Sequence, residues 1–188
     1  NTFSFQGVKG AYSELAGTLI YPEARSIACK TFEEMFEHVR EGKADIAIVP
    51  IENSKAGRVA DTQRLIPNSK LKIISEYFLE INHCLIAPKG ATLESIKTVY
   101  SHEQAIAQCR NSLIKYGKEM IVAADTAGAA KLVSEWNKKD NAAIASNLAA
   151  EIYNLEIIKS NFQDSNNNVT RFLIMSQKLL DINKIEND

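Results

Sequence analysis

Four short polar clusters in this sequence lie where apolar runs give way to helical patterns. They are Gly10-Ala11-Tyr12-Ser13, Pro50-Ile51-Glu52-Asn53-Ser54, Tyr100-Ser101-His102-Glu103-Gln104 and Ala124-Asp125-Thr126-Ala127-Gly128. In open α/β sheets, ligands bind outside the carboxyl ends of the strands. Helix N-termini there present free amide donors and the positive end of the helix dipole, which suits carboxylates. Taken singly, Ser101, Asp125 and Thr126 read most simply as N-caps. Four such clusters together are harder to explain by capping alone. Ser101, Gln104 and Gln108 are three and four residues apart and share one face of a helix start. A solvated amide face is the plainer use of the two glutamines. His102, just inside a helix N-terminus, is expected to be neutral and to serve a structural or supporting role.

Other chemistry is disfavoured by what the motifs lack. The loop around Gly7 and Gly10 is neither GxGxxG nor a Walker sequence, and no GxSxG elbow is present. His38, His83 and His102 have no metal-ligand spacing among themselves, so an enzyme built this way is expected to need no metal and no nucleotide cofactor. Cys29, Cys84 and Cys109 are far apart and read as buried, reduced thiols of a cytoplasmic protein. A net charge of -1 without a basic stripe gives no footprint for nucleic acid. No stretch is long and apolar enough to span a bilayer, and no signal-peptide pattern opens the chain, so no membrane association is expected. The apolar fraction of 45% and charged fraction of 24% are those of a globular domain able to bury a core. The chain begins at Asn1 rather than Met, as expected of a piece of a longer protein.

The elements that must position the clusters follow from periodicity. Residues 3–6 alternate and end at Gly7, a first strand, and residues 10–20 lead from a loop into a helix. Residues 27–30 form a strand, and Thr31 caps a helix through Val39 with Glu34 completing a capping box. Residues 45–51 (DIAIVPI) are almost continuously apolar, as in a strand covered on both faces. Pro50, which cannot donate to a ladder, is expected to mark the end of that strand. The second half repeats the logic, with strands at 97–101, 120–124 and 142–146. Helices are expected over 102–116 and 126–136, and a third is capped by Asn147. Residues 71–87 carry Glu76 and Glu80 among apolar residues and do not read as one buried strand. With the strand at 169–175, that segment can tie two lobes together around a cleft, although a single doubly wound sheet reads nearly the same.

Six segments closely resemble the prephenate dehydratase family. They are FQGVKGAYSELA (5–16), GKADIAIVPIENSKAGRVADT (42–62), VYSHEQAIAQCR (99–110), DTAGAA (125–130), AAIASNLAAEIYNLEII (142–158) and NVTRF (168–172). They occur in family order and cover nearly the whole chain, and PIENS with a later TRF is highly specific. The resemblance implies an α/β fold like a type 2 periplasmic binding protein. Each lobe would be a mostly parallel sheet flanked by helices, with residues 1–79 plus 170–188 in one lobe, 80–169 in the other, and the active site between them. It also implies a homodimer or higher homo-oligomer acting on prephenate in phenylalanine biosynthesis. Family members usually continue into a phenylalanine-binding ACT domain with GALV-like and ESRP-like motifs. Neither motif occurs in residues 1–188, so feedback inhibition through that domain is not expected of this stretch.

The implied reaction expels carbon dioxide and water from prephenate to give phenylpyruvate. By resemblance, Thr170 of TRF is the expected hydroxyl donor, with Glu52 fixing the loop or holding a proton. Asn53, Ser54, Ser13, Ser101, Gln104, Gln108 and Thr126 are the expected substrate-binding residues. Phe172 is a candidate for packing on the substrate ring, with a core role as its alternative. Arg171 suits a carboxylate clamp. In a regular strand, however, Thr170 and Phe172 share a side and Arg171 faces away, which leaves it to reach around or to brace the structure against an acidic residue. Lys55 and Arg58 are supplementary cations. Two other readings remain: arogenate dehydratase, and a non-catalytic two-lobed protein that binds small anions.

Overall fold

The run IAIVPI is apolar throughout because its strand is covered on both faces. In the computed structural model, which describes residues 1–178, it forms β3 (Ile46–Asn53) at the centre of a sheet. Ala47 and Val49 pack on one side with Met35, Phe36 and Val39 of α2 (Phe32–Arg40). Ile48 packs on the other with Phe3 and Phe5 of β1 (Thr2–Gln6), beneath Leu15 and Ala16 of α1 (Tyr12–Ile20). Burying each of the larger side chains here, Val, Ile, Met or Phe, contributes roughly 1.5–3 kcal/mol. At the start of α2, Thr31 caps as expected, accepting from Glu34 N at 3.1 Å. Glu34 reaches one residue further back than a capping box requires, to Lys30 N at 2.6 Å.

Completing this sheet are β2 (Arg25–Cys29), the short β4 (Gly57–Arg58), β5 (Lys72–Glu80) and β11 (Val169–Ser176), in the order β2-β1-β3-β11-β5 with β4 on β3. Between β4 and β5 lies α3 (Ala60–Leu65). The second sheet contains β6 (Cys84–Ala87), β7 (Thr98–Ser101), β8 (Glu119–Val122), β9 (Asn141–Ala145) and β10 (Glu156–Lys159), in the order β10-β6-β9-β7-β8. Parallel pairing holds for β2-β1-β3 and for β9-β7-β8. The strands that carry the chain between sheets, β5, β6 and β11, pair antiparallel, so both sheets are mixed rather than mostly parallel. Residues 71–87 accordingly split into β5 and β6, one in each sheet. Residues 179–188, assigned to the first lobe from sequence, lie outside the described residues.

The chain leaves the first sheet through residues 81–83 and returns through 160–168. Ile81 N donates to Asn168 O at 2.7 Å and Phe162 N to His83 O at 2.8 Å, so the two connections run side by side. The returning loop also breaks the helix expected over 102–116. Asp164 accepts from Asn111 N and Ser112 N at 2.8 and 2.9 Å, capping a new helix there. The result is α4 (Glu103–Gln108) and α5 (Arg110–Lys115), separated at Cys109. Beyond β8, α6 (Thr126–Trp136) begins at its Asp125 cap and ends at Asn137, whose φ of 50° is left-handed. Finally α7 (Asn147–Ile152) is capped by Ser146, not Asn147: Ser146 Oγ accepts from Ala149 N at 3.0 Å.

Ser146 also ties the two sheets together by donating to Gly10 O at 2.7 Å, and Tyr153 OH donates to Lys9 O at 2.5 Å. The buried Glu14 carboxylate holds that loop in place, accepting from Gly10 N at 2.6 Å and Ser26 Oγ at 2.7 Å. Gly10 itself has φ of +94°, and a Cβ there would fall 2.9 Å from Ala149 Cα. Only glycine meets both demands, the left-handed backbone and the close approach of α7.

Candidate active site

Where β3 meets β11 the ladder skips one residue. Thr170 pairs with Asn53 and Arg171 with Glu52, but Phe172 pairs with Pro50, leaving Ile51 as the extra residue of a β-bulge. Pro50 therefore does not end the strand, contrary to the sequence expectation. It occupies one of the few sheet positions open to a residue without N–H. Strict alternation from Ile48 and Pro50 would put Glu52 on the α1 side and Asn53 on the other. The bulge reverses this: Asn53 comes to the same side as Pro50, Thr170 and Phe172, and Glu52 goes to the side of Arg171.

The side carrying Asn53 and Thr170 is the floor of a cleft of about 640 Å³ between the sheets. Phe172, only 1% exposed, belongs to the core cluster beneath it and also contributes to its lining. Ser13 and Thr126 line it from the first turns of α1 and α6, and Gln104 and Gln108 from α4. Thus Asn53, Thr170, Phe172, Ser13, Thr126, Gln104 and Gln108 are brought together.

Four other predicted residues are placed elsewhere. Ser101 is the last residue of β7 and wholly buried, its Oγ donating to Ile144 O at 2.6 Å; the cap of α4 is His102, whose Nδ1 accepts from Gln104 N at 3.2 Å. Ser101 therefore shares no helix face with Gln104 and Gln108. Ser54 closes the loop behind the cleft, donating to Asn167 O and accepting from Val169 N, both at 2.8 Å. Arg171 lies on the opposite side of the sheet, 3.3 Å from Glu52 and 2.6 Å from Glu76, with its guanidinium 5.9 Å from the Phe78 ring centroid. The hydrogen bonds Arg171 donates to Glu76 and then to Glu52 raise its pKa further, and they leave Arg171 and Glu52 committed to each other outside the cleft.

The cleft's polar side chains form a continuous chain. Asn53 Nδ2 donates to Thr170 Oγ1 and to Asn168 Oδ1, each at 2.8 Å. Asn168 Nδ2 donates to Gln108 Oε1 at 3.0 Å, the same oxygen lies 2.6 Å from His83 Nε2, and His83 Nδ1 lies 2.6 Å from Tyr12 OH. Asn53 Oδ1 accepts from Lys55 N at 2.9 Å and Ala56 N at 2.8 Å, a turn that fixes the orientation of its amide. Thr170 Oγ1 is therefore an acceptor towards Asn53, and its own hydrogen has no partner among the described residues. Arg58 is the one lysine or arginine lining the cleft among the described residues, and it makes no ion pair with them. Among the described residues no three His, Cys, Asp or Glu side chains converge to hold a metal ion.

Residues 3–179 match the family model described as prephenate dehydratase. The chain belongs to the prephenate dehydratase family. It is 46% identical, over 93% of its length and 45% of the relative's, to arogenate dehydratase/prephenate dehydratase 1, chloroplastic, of Arabidopsis thaliana. It is 41% identical to the bifunctional N-acyl-homoserine lactone acylase/prephenate dehydratase of Komagataeibacter europaeus, over 93% of this chain and 62% of that one. The chain thus spans roughly half to three-fifths of these curated relatives. Among solved structures, prephenate dehydratase of Arthrobacter aurescens in complex with L-Phe superposes with a TM-score of 0.86 at 32% identity, covering 95% of this chain and 61% of that one. The shared fold is the mixed two-sheet α/β arrangement described above.

Sequence reasoning did not single out Tyr12, His83 or Asn168 for the cleft. His83 lies outside the matched segments, and the contacts that recruit Tyr12 and Asn168 join residues 60 to 115 positions apart. His83 is 3% exposed, and burial lowers its pKa, partly offset by the hydrogen bond it donates to the Gln108 oxygen. Burial raises the Tyr12 hydroxyl well above its usual value, with smaller contributions from Cys84 and Cys109. The unfolded chain therefore takes up a proton on His83 near pH 6.5, before the folded chain does. Stability associated with neutral His83 is complete above that pH and is eroded as pH falls below it towards the folded-state pKa. Thermal melts from pH 7.5 to 5 should show this decline, and His83→Gln should flatten it.

Proposed function

We propose that this chain catalyses the decarboxylating dehydration of prephenate to phenylpyruvate, carbon dioxide and water. The observation that carries the reading is the Thr170 hydroxyl, held as an acceptor by Asn53 with its hydrogen left for a ligand in the cleft. As the ring carboxylate departs as carbon dioxide, the electrons of its C–C bond enter the ring and expel the ring hydroxyl. A proton from solvent completes the water. Aromatisation drives the reaction, so the protein has to orient two carboxylates and help hydroxide leave. Thr170 is far too weak an acid to surrender its proton outright, and its part is a hydrogen bond that strengthens as charge builds on the departing oxygen.

Arg58 supplies the cleft's positive charge for a substrate carboxylate, with the first turns of α1 and α6 at Ser13 and Thr126 offering amide donors. Arogenate, the amino analogue, would call for an acidic partner. Asp61 and Asp125 line the cleft as such carboxylates, so the two substrates are separated by assay. The proposal includes a cytoplasmic homodimer or higher homo-oligomer. Supporting self-association, β5 is an edge strand on which Ile73 and Phe78 are 52% and 57% exposed.

Ultraviolet assay of phenylpyruvate formation from prephenate, run beside arogenate, tests the reading. Turnover of prephenate supports it, and its absence at high enzyme concentration leaves an anion-binding protein. Thr170→Ala should keep the fold, by circular dichroism, and lose roughly 100- to 10,000-fold in kcat. Arg58→Ala should chiefly raise KM, by about 10- to 100-fold, as expected for losing a charged hydrogen bond of roughly 1.5–3 kcal/mol.

A further inference from the structure

The hydrogen bonds linking Asn53 to Tyr12 are self-consistent in only one direction, and backbone groups set it. Lys55 N and Ala56 N are obligatory donors, so Asn53 turns its oxygen to them and its amide nitrogen to Asn168 Oδ1. Asn168 must then donate to Gln108, and the Gln108 atom it meets is the oxygen. His83 Nε2, 2.6 Å from that same oxygen, therefore carries a hydrogen, while Nδ1 accepts from Tyr12 OH. Reversing any one member would set two donors or two acceptors face to face.

We propose that His83, donating its Nε2–H to the Gln108 oxygen, is a positioning residue that makes Gln108 present its amide NH2 group to substrate. This rests on the dehydratase reading of the cleft. Gln108 Oε1 is taken by two donors, and Gln108 Nε2 has no partner among the described residues. Gln108 lines the cleft with Thr170, so this wall offers donors from both residues to an anionic substrate or a departing hydroxide. Left without His83, the Gln108 oxygen keeps only the Asn168 donor, so turning that oxygen towards the substrate's negative charge breaks one hydrogen bond instead of two. The burial that keeps His83 neutral and Tyr12 protonated supports the same polarity. The Tyr12 and His83 rings also meet edge-to-face, their centroids 5.5 Å apart, which fixes the imidazole plane.

The test joins a spectroscopic readout to kinetics. Long-range 1H–15N spectra of histidine-labelled protein at the assay pH should show His83 as the neutral Nε2–H tautomer. His83→Phe, which keeps a ring but no donor, should lower kcat/KM for prephenate by about 10- to 100-fold, because the Gln108 amide is held less firmly towards the substrate. His83→Gln, whose amide can place a donor near the same point, should recover most of that loss. An Nδ1–H tautomer or an imidazolium in the wild type would overturn the proposal. So would a folded His83→Phe with wild-type kcat/KM, or equal losses in the two variants. If His83→Phe does not fold, the tautomer decides. If the wild type forms no phenylpyruvate, the dehydratase reading falls, and the spectra still report the polarity of the chain.

Discussion

Pro50 has no N–H to give to β11, and the ladder accommodates it by letting Ile51 protrude as a bulge. One extra residue inverts the facing of everything that follows it. Asn53 moves beside Thr170 on the cleft floor, and Glu52 moves beside Arg171 outside. Without the bulge the Glu52 carboxylate would project into the cleft proposed to receive an anionic substrate. The side chains of β3 and β11 are thereby sorted, with Glu52 and Arg171 beside Glu76 on one side of the sheet and Asn53 and Thr170 on the other.

The second consequence of the bulge is polarity. Asn53, once on the cleft side, closes its turn onto Lys55 N and Ala56 N and becomes a donor to both Thr170 and Asn168. From there the orientation of each amide and ring is dictated in turn, through connections that run side by side between the sheets. The loop that returns the chain at 160–168 contributes twice. It delivers Asn168 to this network, and through Asp164 it interrupts the helix so that α4 ends at Gln108. Fold and site are therefore coupled: the residues that join the sheets also orient the donors between them.

Much of this architecture is legible in the sequence. The unbroken apolar run at β3, the Thr31 cap and the helix beginning at Thr126 follow from local pattern, and period-two alternation placed Thr170 and Phe172 on one side of β11 with Arg171 on the other. What the sequence hid arises from tertiary contact. Pro50 read as a strand end because its partner strand lies more than a hundred residues away. Ser101 read as a cap because nothing local shows that its hydroxyl reaches Ile144 O. Asn147 lost its capping role to Ser146, whose hydroxyl also bridges to Gly10. The positions of Tyr12, His83 and Asn168 depend on contacts that no periodicity reports.

The sorting of side chains by the bulge is tested most directly by comparing kcat for two neighbouring substitutions, Asn53→Ala and Glu52→Gln, in the prephenate assay. If Asn53 holds Thr170 on the cleft side and Glu52 lies outside, Asn53→Ala loses activity by orders of magnitude while Glu52→Gln stays near the wild-type rate. A Glu52→Gln variant as impaired as Asn53→Ala, with its fold intact, would contradict that arrangement.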